Sequence, residues 1–139
     1  MQQPFHLKKD LTSPMNPVYE STAYFRFLDY HISHGQLLIR GEKALEGDNI
    51  DIIFEGTAFL NCPTRFDGIK IYYLDDDYSK ERCISIFPFI RNFLIVSKNV
   101  EYLVQAAVLR IYRNSLDVFE TSIDMTGKGQ ENLIWISKF

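Results

Sequence analysis

This chain of 139 residues holds two cysteines, Cys62 and Cys83, with neither a Cys-x-x-Cys pair nor a histidine at metal-finger spacing. That pattern excludes a thiolate zinc module, and a chain this long can bury about two thirds of its unfolded surface in one core without a disulfide framework. Both thiols stand among apolar neighbours and are expected as buried small hydrophobes. Basic charge is also scarce: the formal net charge is -3 and the pI about 5.6. Lysine and arginine are scattered apart from Lys8-Lys9 and the Arg110/Arg113 pair. A polyanion grip needs a basic excess, so nucleic acid is not an expected partner.

Long hydrophobic runs are missing as well. Arg40, Asp51, Arg91, Asn92, Gln105 and Arg110 interrupt every candidate well before the roughly 20 apolar residues of a membrane span. The first ten residues carry Pro4 and Asp10 where a signal peptide would need an apolar stretch, so the expected location is cytoplasmic, with no membrane partner. No repeat or low-complexity tract is present. Neither a nucleophile elbow nor a glycine-rich phosphate cradle occurs, and no paired carboxylates mark a cleft. Catalysis is therefore not the leading expectation, no catalytic residue is assigned, and no cofactor is expected.

What is abundant is aromatic side chain, with eleven Phe and eight Tyr bringing the aromatic share to 14%. Such residues suit half-buried pleated surfaces. Ile50 to Phe54, Thr57 to Leu60 and Ile69 to Leu74 read as three successive strands, and Ile50, Ile52 and Phe54 share a face opposite Asp51, Ile53 and Glu55. That second face is expected to be partly wet, and Gly56 to supply a kink or bulge. Upstream, Tyr24 to Ser33 and Gln36 to Arg40 form a hairpin about His34-Gly35. The apolar phase slips at Phe27 and Leu28, as at a bulge. Phe93 to Val96, Val108 to Tyr112, Leu116 to Ile123 and Leu133 to Ser137 supply further strands.

The fold class is therefore mainly β, an antiparallel sandwich or barrel of about eight to ten short strands in a single domain over 1–139, with residues 1–20 a partly irregular arm. The alternative is an α+β fold with one helix at about residues 99–113. There Val100, Leu103, Val104, Ala107, Val108 and Ile111 fit a helical stripe, with Glu101 early and Arg110 and Arg113 late.

Three constellations bear on function. Asp75-Asp76-Asp77 followed by Tyr78 is expected on an exposed loop, where acid and aromatic together suit a basic partner surface. His31 and His34 near Asp29 are weak metal candidates, since residues three apart on a strand face opposite ways. Tyr24, Tyr30, Tyr72, Tyr112 and Trp135 would line a pocket if a barrel interior were left unfilled. The leading expectation is a small soluble domain that binds another protein, neutralising or scaffolding it. The alternative is a barrel holding a hydrophobic small molecule, and behind both stands a metal-assisted enzyme.

Overall fold

The computed structural model describes residues 16–137. The irregular arm expected over residues 1–20 lies outside the described residues as far as residue 15, and by Tyr19 the chain is already in strand. The strands are β1 (Tyr19–His31), β2 (Gln36–Leu45), β3 (Asp48–Glu55), β4 (Phe59–Leu60), β5 (Arg65–Leu74), β6 (Arg91–Ser97), β7 (Val100–Ala106), β8 (Val108–Asn114) and β9 (Asn132–Ile136). One short helix, α1 (Asp76–Glu81), lies between β5 and β6.

The fold is mainly β, with the strands in a single sheet of order β4-β7-β6-β5-β1-β2-β3-β8-β9 and every pairing antiparallel. The ladder is not closed, because β4 and β9 are edges. It nevertheless rolls up. β7 lies against β6, then runs through Ala107 directly into β8, which lies against β3. At the junction the Ala107 amide donates to the Glu55 carbonyl at 2.9 Å and the Ala58 amide to the Gln105 carbonyl at 2.8 Å, so the β3/β8 ladder passes into the β4/β7 ladder. Gly56 makes the bend there with φ +61°, and a Cβ on it would stand 2.9 Å from that of Ala107. As a result Phe54 of β3 and Phe93 of β6, four places apart in the sheet, meet edge to face at 5.5 Å.

The enclosed face follows period-2 alternation, except that the parity switches on β5 between Phe66 and Ile69, where the β1/β5 register shifts: Phe25 on β1, Ile39 on β2, Ile50, Ile52 and Phe54 on β3, Phe66 and Ile71 on β5, Phe93 and Ile95 on β6, and Val104 and Ile111 on β7 and β8, form one buried cluster. Gly41, opposite Phe25 across the β1/β2 pair, leaves room for that ring, since a Cβ would fall 2.5 Å from Phe25 Cε2. The expected bulge is present between Phe27 and Asp29. It keeps Phe27 inside, 6.4 Å from the Phe66 ring, and turns Leu28 outward against Leu38 and Ile53.

The α+β alternative is set aside, and three expectations are corrected. Residues 99–113 are strands β7 and β8 and not a helix. Both of their faces are covered, Val104 and Ile111 from within and Leu103 from outside, so apolar residues on both parities imitate a helical stripe. Leu116 to Ile123 is irregular rather than strand, lying on the outer face of β2, β3 and β8 with Ile123 packed on Leu38, Ile53 and Tyr112. That cover also overturns the partly wet face of β3, because Asp51 and Ile53 are wholly buried. Finally, the acidic run is helical instead of looped: the Asp75 carboxylate caps α1 by accepting from the Tyr78 amide at 2.9 Å, and Asp76 and Asp77 in the first turn suit the helix dipole.

Candidate functional site

Two segments cover the outer face of the rolled sheet, and their chemistry differs. Residues 115–131 lie over β2, β3 and β8 around a buried ion pair. Arg40, 2% exposed, donates from Nε to Asp51 Oδ1 at 2.6 Å and from Nη2 to Asp51 Oδ2 at 2.8 Å. Asp51 Oδ2 also accepts from Asn114 Nδ2 and Ser122 Oγ, at 2.8 and 2.7 Å. Arg40 Nη1 donates to the carbonyls of Asp117 and Val118. Buried charges persist only when paired and hydrogen-bonded this fully, and every partner here belongs to the fold. This network ties the cover down and leaves nothing for a ligand.

The second cover, from α1 to Ile90, lies over β5, β6 and β7. Ile84 packs with Tyr72, Leu74, Leu94 and Leu103, while Asn92 Nδ2 donates to Ser79 Oγ at 2.9 Å and to the Ser85 carbonyl at 3.2 Å. Gln105 Nε2 donates to the Asn92 side-chain oxygen at 3.0 Å. Glu101, also on the outer face of this sector, is 4% exposed, and burial pushes its carboxyl up to about 7 while the Arg82 charge pulls it down.

Beyond Ile84 the same segment turns its apolar residues outward. The Ile90 amide donates to the Phe87 carbonyl at 3.3 Å, closing a turn with Pro88 and Phe89 at its centre. Phe89 occupies the third position with φ +63°, a conformation ordinarily left to Gly or Asn, and its side chain is 86% exposed. Holding a phenylalanine there costs about 1–3 kcal/mol of backbone strain and leaves a large ring in water, so neither local preference nor core packing accounts for it. Ile86 and Phe87 are exposed beside it. Together with Asp76, Ile90 and Arg91 these residues line an open cleft of about 540 Å³.

Of the four residues singled out in the acidic run, Asp76 enters this cleft, Asp77 is exposed on the same helix, Asp75 is engaged as the cap, and Tyr78 packs inward with Ile84 and its neighbours. The sequence reading missed Ile86, Phe87 and Phe89. Its only signal was Pro88 interrupting an apolar run, which reads as a broken strand.

The remaining candidates do not converge. His31 Nε2 lies 3.1 Å from Asp29 Oδ2 and His34 is exposed in the turn after β1; among the described residues no group of three or more His, Cys, Asp or Glu is placed to hold a metal ion. Cys62 packs against the core, and burial pushes its thiol up to about 12. Cys83, expected to be buried, is exposed, because it takes the left-handed position that ends α1, with φ +57°. The five aromatics proposed as a pocket lining are dispersed: Tyr24 and Tyr30 are exposed, Tyr72 and Tyr112 lie under the two covers, and Trp135 packs on the core. Among the described residues no helix is long and apolar enough to cross a membrane.

Comparison of the chain with protein-family models, curated proteins and solved structures returns no match. Function therefore rests on the geometry alone.

Proposed function

We propose that this is a protein-binding domain, which neutralises or scaffolds its partner by docking an apolar segment of that partner against the Ile86–Ile90 turn, with α1 alongside. The observation that carries the reading is Phe89, held at 86% exposure in a strained turn. Exposed aromatics in a cleft resemble the residues that dominate binding energy in protein interfaces. Asp76 in the cleft and Asp77 and Glu81 on the exposed part of α1 favour a partner segment that carries lysine or arginine beside its apolar residues. The alternative of a hydrophobic ligand held inside the rolled sheet has less support, since Phe25, Phe54, Phe66 and Phe93 fill the interior.

The test is capture from the native host at low salt with wild-type chain, with Phe87→Ser/Phe89→Ser, and with Asp75, Asp76 and Asp77 all replaced by Asn. Asn also caps helices, so the triple variant keeps α1. The expected result is one near-stoichiometric protein, lost with the Ser pair and associating more slowly with the Asn triple. A stoichiometric partner retained by the Ser pair would overturn the site, and the absence of any stoichiometric protein would overturn the reading.

A further inference from the structure

Between the two covers, part of the outer face of β1, β2 and β5 is left open, and its charge pattern is unusual. Arg26 on β1 stands directly opposite Arg65 on β5 and, across its other ladder, opposite Arg40 on β2. Three arginines thus form a row across three neighbouring strands. Like charges directly opposite each other destabilise a sheet, so such a row needs compensation. Arg40 has it, in Asp51. Arg26 has a cation–π contact, its Cζ 5.3 Å from the Phe119 ring centre. No carboxylate ion-pairs with Arg26 or Arg65 among the described residues. Arg26, Arg65, Lys43 and Tyr24 line a cleft of about 450 Å³, with Glu42 the acidic residue at its wall. Arg65 and Lys43 are exposed and Arg26 is half-buried.

We infer that this cleft is a binding site for a small phosphate-bearing ligand, held by the Arg26 and Arg65 guanidinium groups with Lys43. Guanidinium groups present paired N–H donors that match phosphate oxygens, and two of them from opposed strand positions suit a dianion better than a single carboxylate. The Tyr24 ring offers a flat wall for the organic part of such a ligand. Size and charge argue for a small molecule and not a nucleic acid. The patch holds three cations, Arg26, Arg65 and Lys43, beside the one carboxylate of Glu42, whereas proteins that grip duplexes make many more phosphate contacts, and the chain as a whole is acidic at -3. The anion supplies the missing compensation for the arginine row.

The test is a titration of the full chain with inorganic pyrophosphate in about 20 mM salt, followed by amide chemical shifts and calorimetry. The expected result is saturable binding tighter than about 1 mM, with shifts concentrated at Tyr24 to Arg26, Arg40 to Lys43 and Arg65 to Asp67. Arg26→Gln/Arg65→Gln should weaken it at least about tenfold, and Lys70→Gln, elsewhere on β5, should leave it unchanged. The double variant should remain folded without anion and melt close to wild type, because the relief of like-charge opposition offsets the lost Arg26–Phe119 contact. Equal binding by that variant, shifts scattered over all basic residues, or equal binding of acetate would each overturn the site. An oligonucleotide of about ten nucleotides binding more tightly than pyrophosphate would overturn the assignment to a small ligand.

Discussion

Replacing Asp51 by Asn should be among the most damaging conservative changes available to this protein. The carboxylate accepts four hydrogen bonds at 2.6 to 2.8 Å, two from Arg40 and one each from Asn114 and Ser122. Asn keeps the shape but removes the charge and turns one acceptor into a donor facing donors. Arg40, 2% exposed, is then a buried cation without a counter-charge. Breaking a buried pair in this way costs about 3–5 kcal/mol, against a typical total stability of about 5–15 kcal/mol. With a urea slope near 2 kcal/mol/M for a chain of this size, the midpoint should fall by about 2 M. Arg40→Met should cost a similar amount, whereas Arg40→Met combined with Asp51→Leu should cost clearly less than the sum, because no charge is then left unpaired. Urea unfolding of these variants, with Asp51→Leu alone completing the cycle, measures all of this. A midpoint shift below about 0.5 M for Asp51→Asn, or additivity in the double variant, would refute the argument that the pair is buried and interdependent.

Other expectations follow from single contacts. Phe89→Gly should stabilise the fold by about 0.5–1 kcal/mol, seen as a higher melting temperature, while abolishing partner capture; a destabilised variant would mean that the turn is not strained. Glu101 has a folded pKa near 7 against an ordinary 4.5, so its contribution is fully present below pH 4.5 and is lost as pH rises through 7. Between pH 5 and 8 the chain should lose on the order of 2 kcal/mol from this group, a dependence that Glu101→Gln removes in urea titrations at both pH values. Iodoacetamide at pH 8 should label exposed Cys83 and spare Cys62, whose thiol burial holds near 12, with peptide mass spectrometry giving the site. Gly41→Ala should cost about 1–3 kcal/mol by overpacking against Phe25.

Much of the sheet was legible because alternation is a local signal. Ile50, Ile52 and Phe54 declare an inner face without knowledge of any neighbour, and the phase slip at Phe27 and Leu28 declares the bulge. The covers were not legible in that way. Asp51 reads as wet because its partner Arg40 and its roof at Ser122 are distant in sequence, 11 and 71 residues away. Residues 100–113 imitate a helix because covers on one face and core on the other erase the alternation. The acidic run was found by composition, yet Asp75 proves to be a cap, and the aromatic turn beside it was missed. Neither the strain at Phe89 nor the opposition of Arg26 and Arg65 is visible until φ angles and strand register are known.

The strand pair β7/β8 has a consequence for how the molecule comes apart. Because Val100 to Asn114 is one run of chain hydrogen-bonded to β6 at its start and to β3 at its end, the roll cannot open at its join without tearing a ladder on one side. Neither half of the sheet is a separable module. The bond between Asn49 and Asn114 spans 65 residues, so the last stitch of the roll closes a very long loop. Assembly should be slow and dominated by non-local contacts, while the finished shell should exchange its central amides only through global unfolding, with the turn at Phe89 free to vary outside that cooperative unit.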